Sequence, residues 1–161
     1  MPEQIFTIGY EKRSIDEYID ILLDAGVTLV LDVRETAWSH KPGFSKTAFR
    51  LALGNSGIGY HHAPGLGNPK LLRREAKTHA DCLQAFRRYL AGNRETVKDL
   101  EGLVAALTRE GHKVALTCFE RHHEDCHRSI LAEAWKGRSR RKVTHLAPDG
   151  CRRLTPQISA S

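Results

Sequence analysis

Apolar residues occur in two patterns that take turns along the chain. Short dense runs alternate with longer stretches in which apolar positions recur every three or four residues, so strands and helices are predicted to follow one another. The dense runs are Gln4–Gly9 (QIFTIG), Val27–Val33 (VTLVLDV), Ile58–His62 and Lys113–Phe119, with Lys142–Leu146 as a short last strand. Each is too short for an ordinary helix. Between the first two, Ser14-Ile15-Asp16-Glu17 reads as a capping box, Ile15, Tyr18, Ile19, Leu22 and Ala25 form one helical face, and Gly26 ends it. Ser45 is placed to cap a short helix holding Phe49, Ala52 and Leu53, and Asn68-Pro69 has the form of an N-cap followed by a first-turn proline. Lys70 to Glu110 is helical in pattern, first through Leu83, Phe86 and Leu90, then through Val97, Leu100, Val104 and Leu107. A last helix starts at Asp125 as N-cap, carries Ile130/Leu131 and Ala134/Trp135, and stops at Gly137.

Strand–helix alternation with a nearly all-apolar second strand predicts an α/β fold. We expect a single three-layer domain of about five mainly parallel strands with helices on both faces. It spans residues 1–147, and the weakly patterned tail 148–161 is expected to be mobile. Some forty helical residues exceed one crossover, so one segment should cover the sheet while another extends the rim of a site. Right-handed crossovers put Gly9, Arg34, His61 and Cys118 on the carboxyl edge, where ligands of open α/β sheets bind.

Composition narrows the setting. The chain has 161 residues, four cysteines and a net charge of +6. It is long enough to bury a core without disulfides. No apolar run approaches a membrane span and MPEQIFTIGY lacks a signal-peptide core, so a cytoplasmic protein with free thiols and no membrane partner is expected. The basic excess is local: Lys136, Arg138, Arg140, Arg141, Lys142, Arg152 and Arg153 against Asp149 account for all of it. Such a cluster suits an anionic or phosphate-containing partner, nucleic acid included; it equally suits a solvated connection after a helix C-terminus.

The chemistry gathers in KVALTCFERHHEDCHRSILAEAW, Lys113–Trp135. Cys118 ends a strand, either as an ordinary buried cysteine or as part of a site. Cys126, His127 and Arg128 are predicted to share a first helical turn, where unpaired N–H groups and neighbouring positive charge lower a thiol pKa. Cys126 is therefore the expected nucleophile, ahead of Cys118, with Glu120 or His127 as acid/base. Asp32 inside its apolar run requires a partner, Arg34 or Arg128. Gly9 allows a sharp turn or a close approach.

The segments TIGYEKRS, LDVRETAWSHKPGFSK, YHHAPGLGNP and CFERHHEDCHRSILAEAW together resemble the DUF488 family, over nearly the whole chain to about Leu146. The resemblance implies a compact α/β domain with Gly9, Asp32, Arg34, Cys118, Glu120, Cys126, His127 and Arg128 at one sheet edge. It implies little about reaction, and the additional His62, His122 and His123 depart from the commoner pattern. The expected function is an enzyme acting on a phosphate-containing nucleotide or nucleic-acid substrate. Cys126, Cys118, Glu120 and His127 would be catalytic, and Gly9, Tyr10, Asp32, Arg34 and Arg128 would bind substrate. The alternatives are a non-catalytic nucleic-acid-binding module and a Zn²⁺ site built from Cys118, His123, Cys126 and His127, whose spacing matches no standard finger. Rhodanese-like sulfur transfer is disfavoured, because the loop after Cys118 lacks the glycines that aim amides at an anion.

Overall fold

The computed structural model describes residues 3–146. Five strands, β1 (Gln4–Gly9), β2 (Leu29–Asp32), β3 (Gly59–His62), β4 (Val114–Cys118) and β5 (Lys142–His145), form one sheet in the order β3-β2-β4-β1-β5. All four pairings are parallel. Six α-helices connect them: α1 (Ile15–Asp24), α2 (Lys46–Asn55), α3 (Lys70–Glu75), α4 (His79–Gly92), α5 (Arg94–Arg109) and α6 (His127–Lys136).

Side-chain alternation along the strands builds the two outer layers. On β2 and the residue after it, Leu29, Leu31 and Val33 face α4, α5 and α6, packing with Phe86, Leu90, Leu100, Val104, Leu131 and Trp135. Val30, with Phe6 and Ile8 of β1, faces α1 and α2 through Tyr18, Leu22, Phe49 and Leu53. The three-layer α/β domain predicted from the pattern is the observed architecture. The capping box is present as well: Ser14 Oγ accepts from Glu17 N and Glu17 Oε1 accepts from Ser14 N.

The differences lie at element ends. The second strand is shorter than its apolar run, although Val27 and Val33 are both buried. The stretch 70–110 breaks at Ala76–Thr78, where the Thr78 side chain caps α4, and again at Asn93 between α4 and α5. Helix α5 covers the sheet through Leu100, Val104 and Leu107, while α3 and the start of α4 extend the rim. Pro69, rather than Asn68, is the N-cap of α3; the Asn68 amide donates to Cys82 Sγ at 3.3 Å instead. Ser45 caps α2 by backbone position only, because its hydroxyl is engaged with Ser39 N and O. The tail 148–161, with Cys151, Arg152 and Arg153, lies outside the described residues.

Candidate active site at the carboxyl edge of the sheet

Register pairs Gly9 with Cys118, and Asp32 with both Thr117 and His62, so the ends of β1, β2, β3 and β4 lie on one edge. Above them opens a cleft of about 560 Å³, lined among others by Tyr10, Arg34, Trp38, Cys82, Cys118, Glu120 and His127.

Cys118 and His127 form its floor. Cys118 Sγ lies 3.6 Å from His127 Nδ1, and Cys126 Sγ lies 3.9 Å from the same nitrogen. On the far side of the ring, His127 Nε2 lies 3.0 Å from Val33 O. A carbonyl oxygen can only accept, so Nε2 carries the proton and Nδ1 presents its lone pair to the two thiols. The ring is also held edge-on against Phe86. The Sγ atoms of Cys118 and Cys126 and a His127 ring nitrogen lie within 4.8 Å of one another, which makes them a three-donor set for a soft metal.

Two expectations about Cys126 are corrected. His123–Asp125 form a 3₁₀ turn, so α6 starts one residue later than its apolar pattern suggests, and Cys126 rather than Asp125 is its N-cap. Its thiol then points into the core, not into the ring of free N–H groups. Burial, reinforced by the adjacent Cys118, pushes it up to about 12, against the lowering expected of a first-turn cysteine. Cys118, by contrast, borders the cleft. Glu120 is half-buried, and desolvation together with the neighbouring Cys126 thiol raises its carboxyl to about 8.

The arginines are tied down. Asp32 accepts from Arg34 Nε at 2.9 Å, from Arg34 Nη2 at 2.7 Å, from the Arg34 backbone and from the Tyr60 hydroxyl. Arg34 Nη1 donates to the Tyr10 hydroxyl. Desolvation alone would lower the Arg34 pKa, but Asp32 and Tyr10 outweigh it and raise it, so a charged guanidinium is held at the cleft wall. Of the two partners expected for Asp32, Arg34 is the one observed. Arg128 is buried inside the loop, donating from Nη1 to Glu120 O at 2.6 Å and from Nη2 to Arg121 O. It organises the loop and does not line the cleft. Gly9 permits a close approach by that same loop: a Cβ there would sit 1.8 Å from Glu120 O.

The other histidines go elsewhere. His123 stacks on His145, with centroids 3.7 Å apart, and is not in the Cys118/Cys126/His127 cluster; His122 is exposed beside Glu124. His62 meets Arg34 O and His61 is exposed. Sequence reasoning missed the opposite wall of the cleft, where α3, α4 and the break between them contribute Arg73, Lys77, His79 and Cys82. Its one readable signal is the i, i+3, i+4 spacing of His79, Cys82 and Leu83, which puts them on one face of α4.

A family model described as a domain of unknown function, DUF488, matches residues 14–135. The chain belongs to the DUF488 family. That match covers β2, β3, β4 and all six helices except the final residue of α6. Neither the curated proteins nor the solved structures yielded a match. Among the described residues of this DUF488 domain no helix is long and apolar enough to cross a membrane.

The basic segment lies away from the cleft. Lys142 opens β5 opposite Gln4, at the amino edge of the sheet. Arg138 and Arg140 are exposed there, whereas Arg141 pairs with Glu3 and Glu101 and stacks over Trp135.

Proposed function

We propose that this DUF488 protein is a cysteine-dependent enzyme acting on an anionic, phosphate-bearing substrate, of which nucleotides are the class best suited to the cleft. The observation that carries this reading is the Cys118–His127–Val33 relay: a thiol at the cleft floor, an imidazole nitrogen 3.6 Å away, and a carbonyl that fixes the ring's tautomer. Nucleophile, base and orienting group in this order are the minimum for thiol catalysis. Cys118 supplies the nucleophile and His127 Nδ1 takes its proton. Glu120, on the same floor, supplies the acid/base group for the leaving group or for water.

Substrate class follows from the walls. Trp38 and Phe119 are exposed at the cleft and offer faces for a planar ring. Lys77 has no ion-pair partner among the described residues, and Arg73 stands beside it, paired with Glu35. Free thiols of this kind fit a reducing, cytoplasmic setting.

The test is to incubate metal-free protein with a panel of nucleoside mono-, di- and triphosphates and short RNA, following products and covalent adducts by mass spectrometry. Turnover or an adduct on Cys118 is expected in the wild type and absent from Cys118→Ser. Turnover that persists in Cys118→Ser, or no product or adduct from any of these compounds, overturns the reading. Nucleic-acid binding through the amino-edge arginines is the second expectation. It is tested by Arg138→Glu/Arg140→Glu, which should flatten the salt dependence of RNA binding by roughly 0.7 per lost phosphate contact.

A further inference from the structure

Three donor atoms converge where a soft cation fits. Tetrahedral zinc with Zn–S of about 2.3 Å and Zn–N of about 2.0–2.1 Å sets S···N edges of about 3.5 Å and S···S edges of about 3.8 Å. Cys118 and Cys126 lie 3.6 and 3.9 Å from His127 Nδ1, and all three donors fall within 4.8 Å of one another. Closing the site would bring donors already within 4.8 Å of one another to these edge lengths.

The ring is already prepared for it. Metal-bound histidines commonly donate their other N–H to a carbonyl or carboxylate, and His127 does this through Nε2 to Val33 O. The surroundings agree in charge: two thiolates and one Zn²⁺ sum to zero, so a buried ion of this kind carries no net charge into the core. Hard cations such as Mg²⁺ or Ca²⁺ want oxygen donors and are excluded by the sulfurs. The fourth position opens to the cleft, because Cys118 and His127 both border it.

We propose that Cys118, Cys126 and His127 Nδ1 bind one Zn²⁺ ion, and that its binding withdraws Cys118 from service as a nucleophile. The second half rests on the reading of Cys118 given above; the first half does not. Binding converts two thiols and one neutral imidazole into a dithiolate–imidazole complex, and two protons leave per zinc bound. The three donors include the proposed nucleophile and its base, so the zinc-loaded protein is the inactive form.

The experiment titrates metal-free protein with Zn²⁺ against a chromophoric chelator, with Co²⁺ as the spectroscopic probe. One ion per chain with thiolate–cobalt charge-transfer bands is expected. Loss of one ligand should raise Kd by more than about 100-fold in Cys126→Ser and His127→Asn, beyond the cost of a change outside the ligand set. Cys82→Ser should leave Kd unchanged. Because a variant can fail for want of folding, the wild type carries its own readout: Zn²⁺ should shield Cys118 from iodoacetamide and leave Cys82 open. No zinc binding, or binding without shielding of Cys118, overturns the site. If zinc binds and shields yet turnover requires it, the inhibitory half falls and the site stands. If zinc binds and shields while the zinc-free protein has no turnover on any nucleotide, the enzyme reading fails alone.

Discussion

Gly9 and Glu120 define how closely the reactive loop can approach the sheet. A Cβ on Gly9 would lie 1.8 Å from the Glu120 carbonyl oxygen and 3.0 Å from Arg128 Nη1. The obstacle is backbone, which cannot swing aside as a flexible side chain would. Loop and β1 are further joined by Tyr10 N donating to Cys118 O and Glu11 N donating to Phe119 O. The absence of a side chain on β1 therefore sets the height of the whole segment that carries Cys118, Glu120 and Cys126.

Gly9→Ala should thus destabilise the fold by about 2–3 kcal/mol, at the upper end of overpacking, and misplace the Cys118–His127 pair. Urea denaturation measures it. Gly102→Ala is the control: this α5 glycine has nothing near its missing Cβ and should gain up to about 1 kcal/mol from helix propensity. Equal effects at both positions would remove the argument.

Asp32→Asn strands a buried guanidinium. Asp32 is fully buried and Arg34 is 6% exposed, and their side chains share two hydrogen bonds. Removing the carboxylate charge should cost about 3–5 kcal/mol, since breaking a buried pair leaves a charge uncompensated. The double variant Asp32→Asn/Arg34→Met should recover part of that loss. A single-variant cost below about 1 kcal/mol would show that water reaches Arg34 from the cleft.

What could be read from the sequence followed range. Asp32 and Arg34 are two residues apart in an apolar run, so their pairing was visible as a need for charge compensation. Cys118, Cys126 and His127 sit in one stretch and were visible as a cluster. The error on Cys126 came from burial: a 3₁₀ turn precedes α6, and packing of the N-cap thiol into the core against Cys118 reverses the sign of its pKa shift. The far wall was invisible because it depends on α4 packing against α6, and the tautomer of His127 depends on a carbonyl 94 residues away. Arg128 looked like an anion ligand by type, and only its contacts with Glu120 O and Arg121 O identify it as the loop's anchor.

His145 should make stability depend on pH. Desolvation, then the stacked His123 and nearby Arg128, lower its pKa to about 4, below the ordinary value of about 6.5; Thr7 Oγ1 is its hydrogen-bond partner at 2.7 Å. The folded state prefers the neutral ring, so the unfolded chain takes up the proton first as pH falls. The contribution is complete above about pH 6.5 and is lost progressively down to about pH 4. Across that window the wild-type Tm should fall more steeply than that of His145→Gln. Parallel curves would mean the ring protonates freely in the fold.

Alkylation should order the thiols opposite to expectation from helix position. Cys126 is 0% exposed behind Cys118, while Cys118 borders the cleft at 7% exposure and has the His127 Nδ1 lone pair beside it. Access alone favours Cys118, and burial raises the Cys126 pKa to about 12, which disfavours its thiolate, so ionisation also keeps Cys126 slow. Iodoacetamide on chelator-treated, folded protein at pH 8, followed by peptide mapping, should label Cys118 and half-buried Cys82 well before Cys126. His127→Asn should slow labelling at Cys118 and leave Cys82 unchanged, because Cys82 pairs with Asn68 and not with the imidazole. Labelling of Cys126 ahead of Cys118 would mean that the loop His123–Asp125 opens faster than the reagent reacts, and the roles of the two cysteines would have to be exchanged.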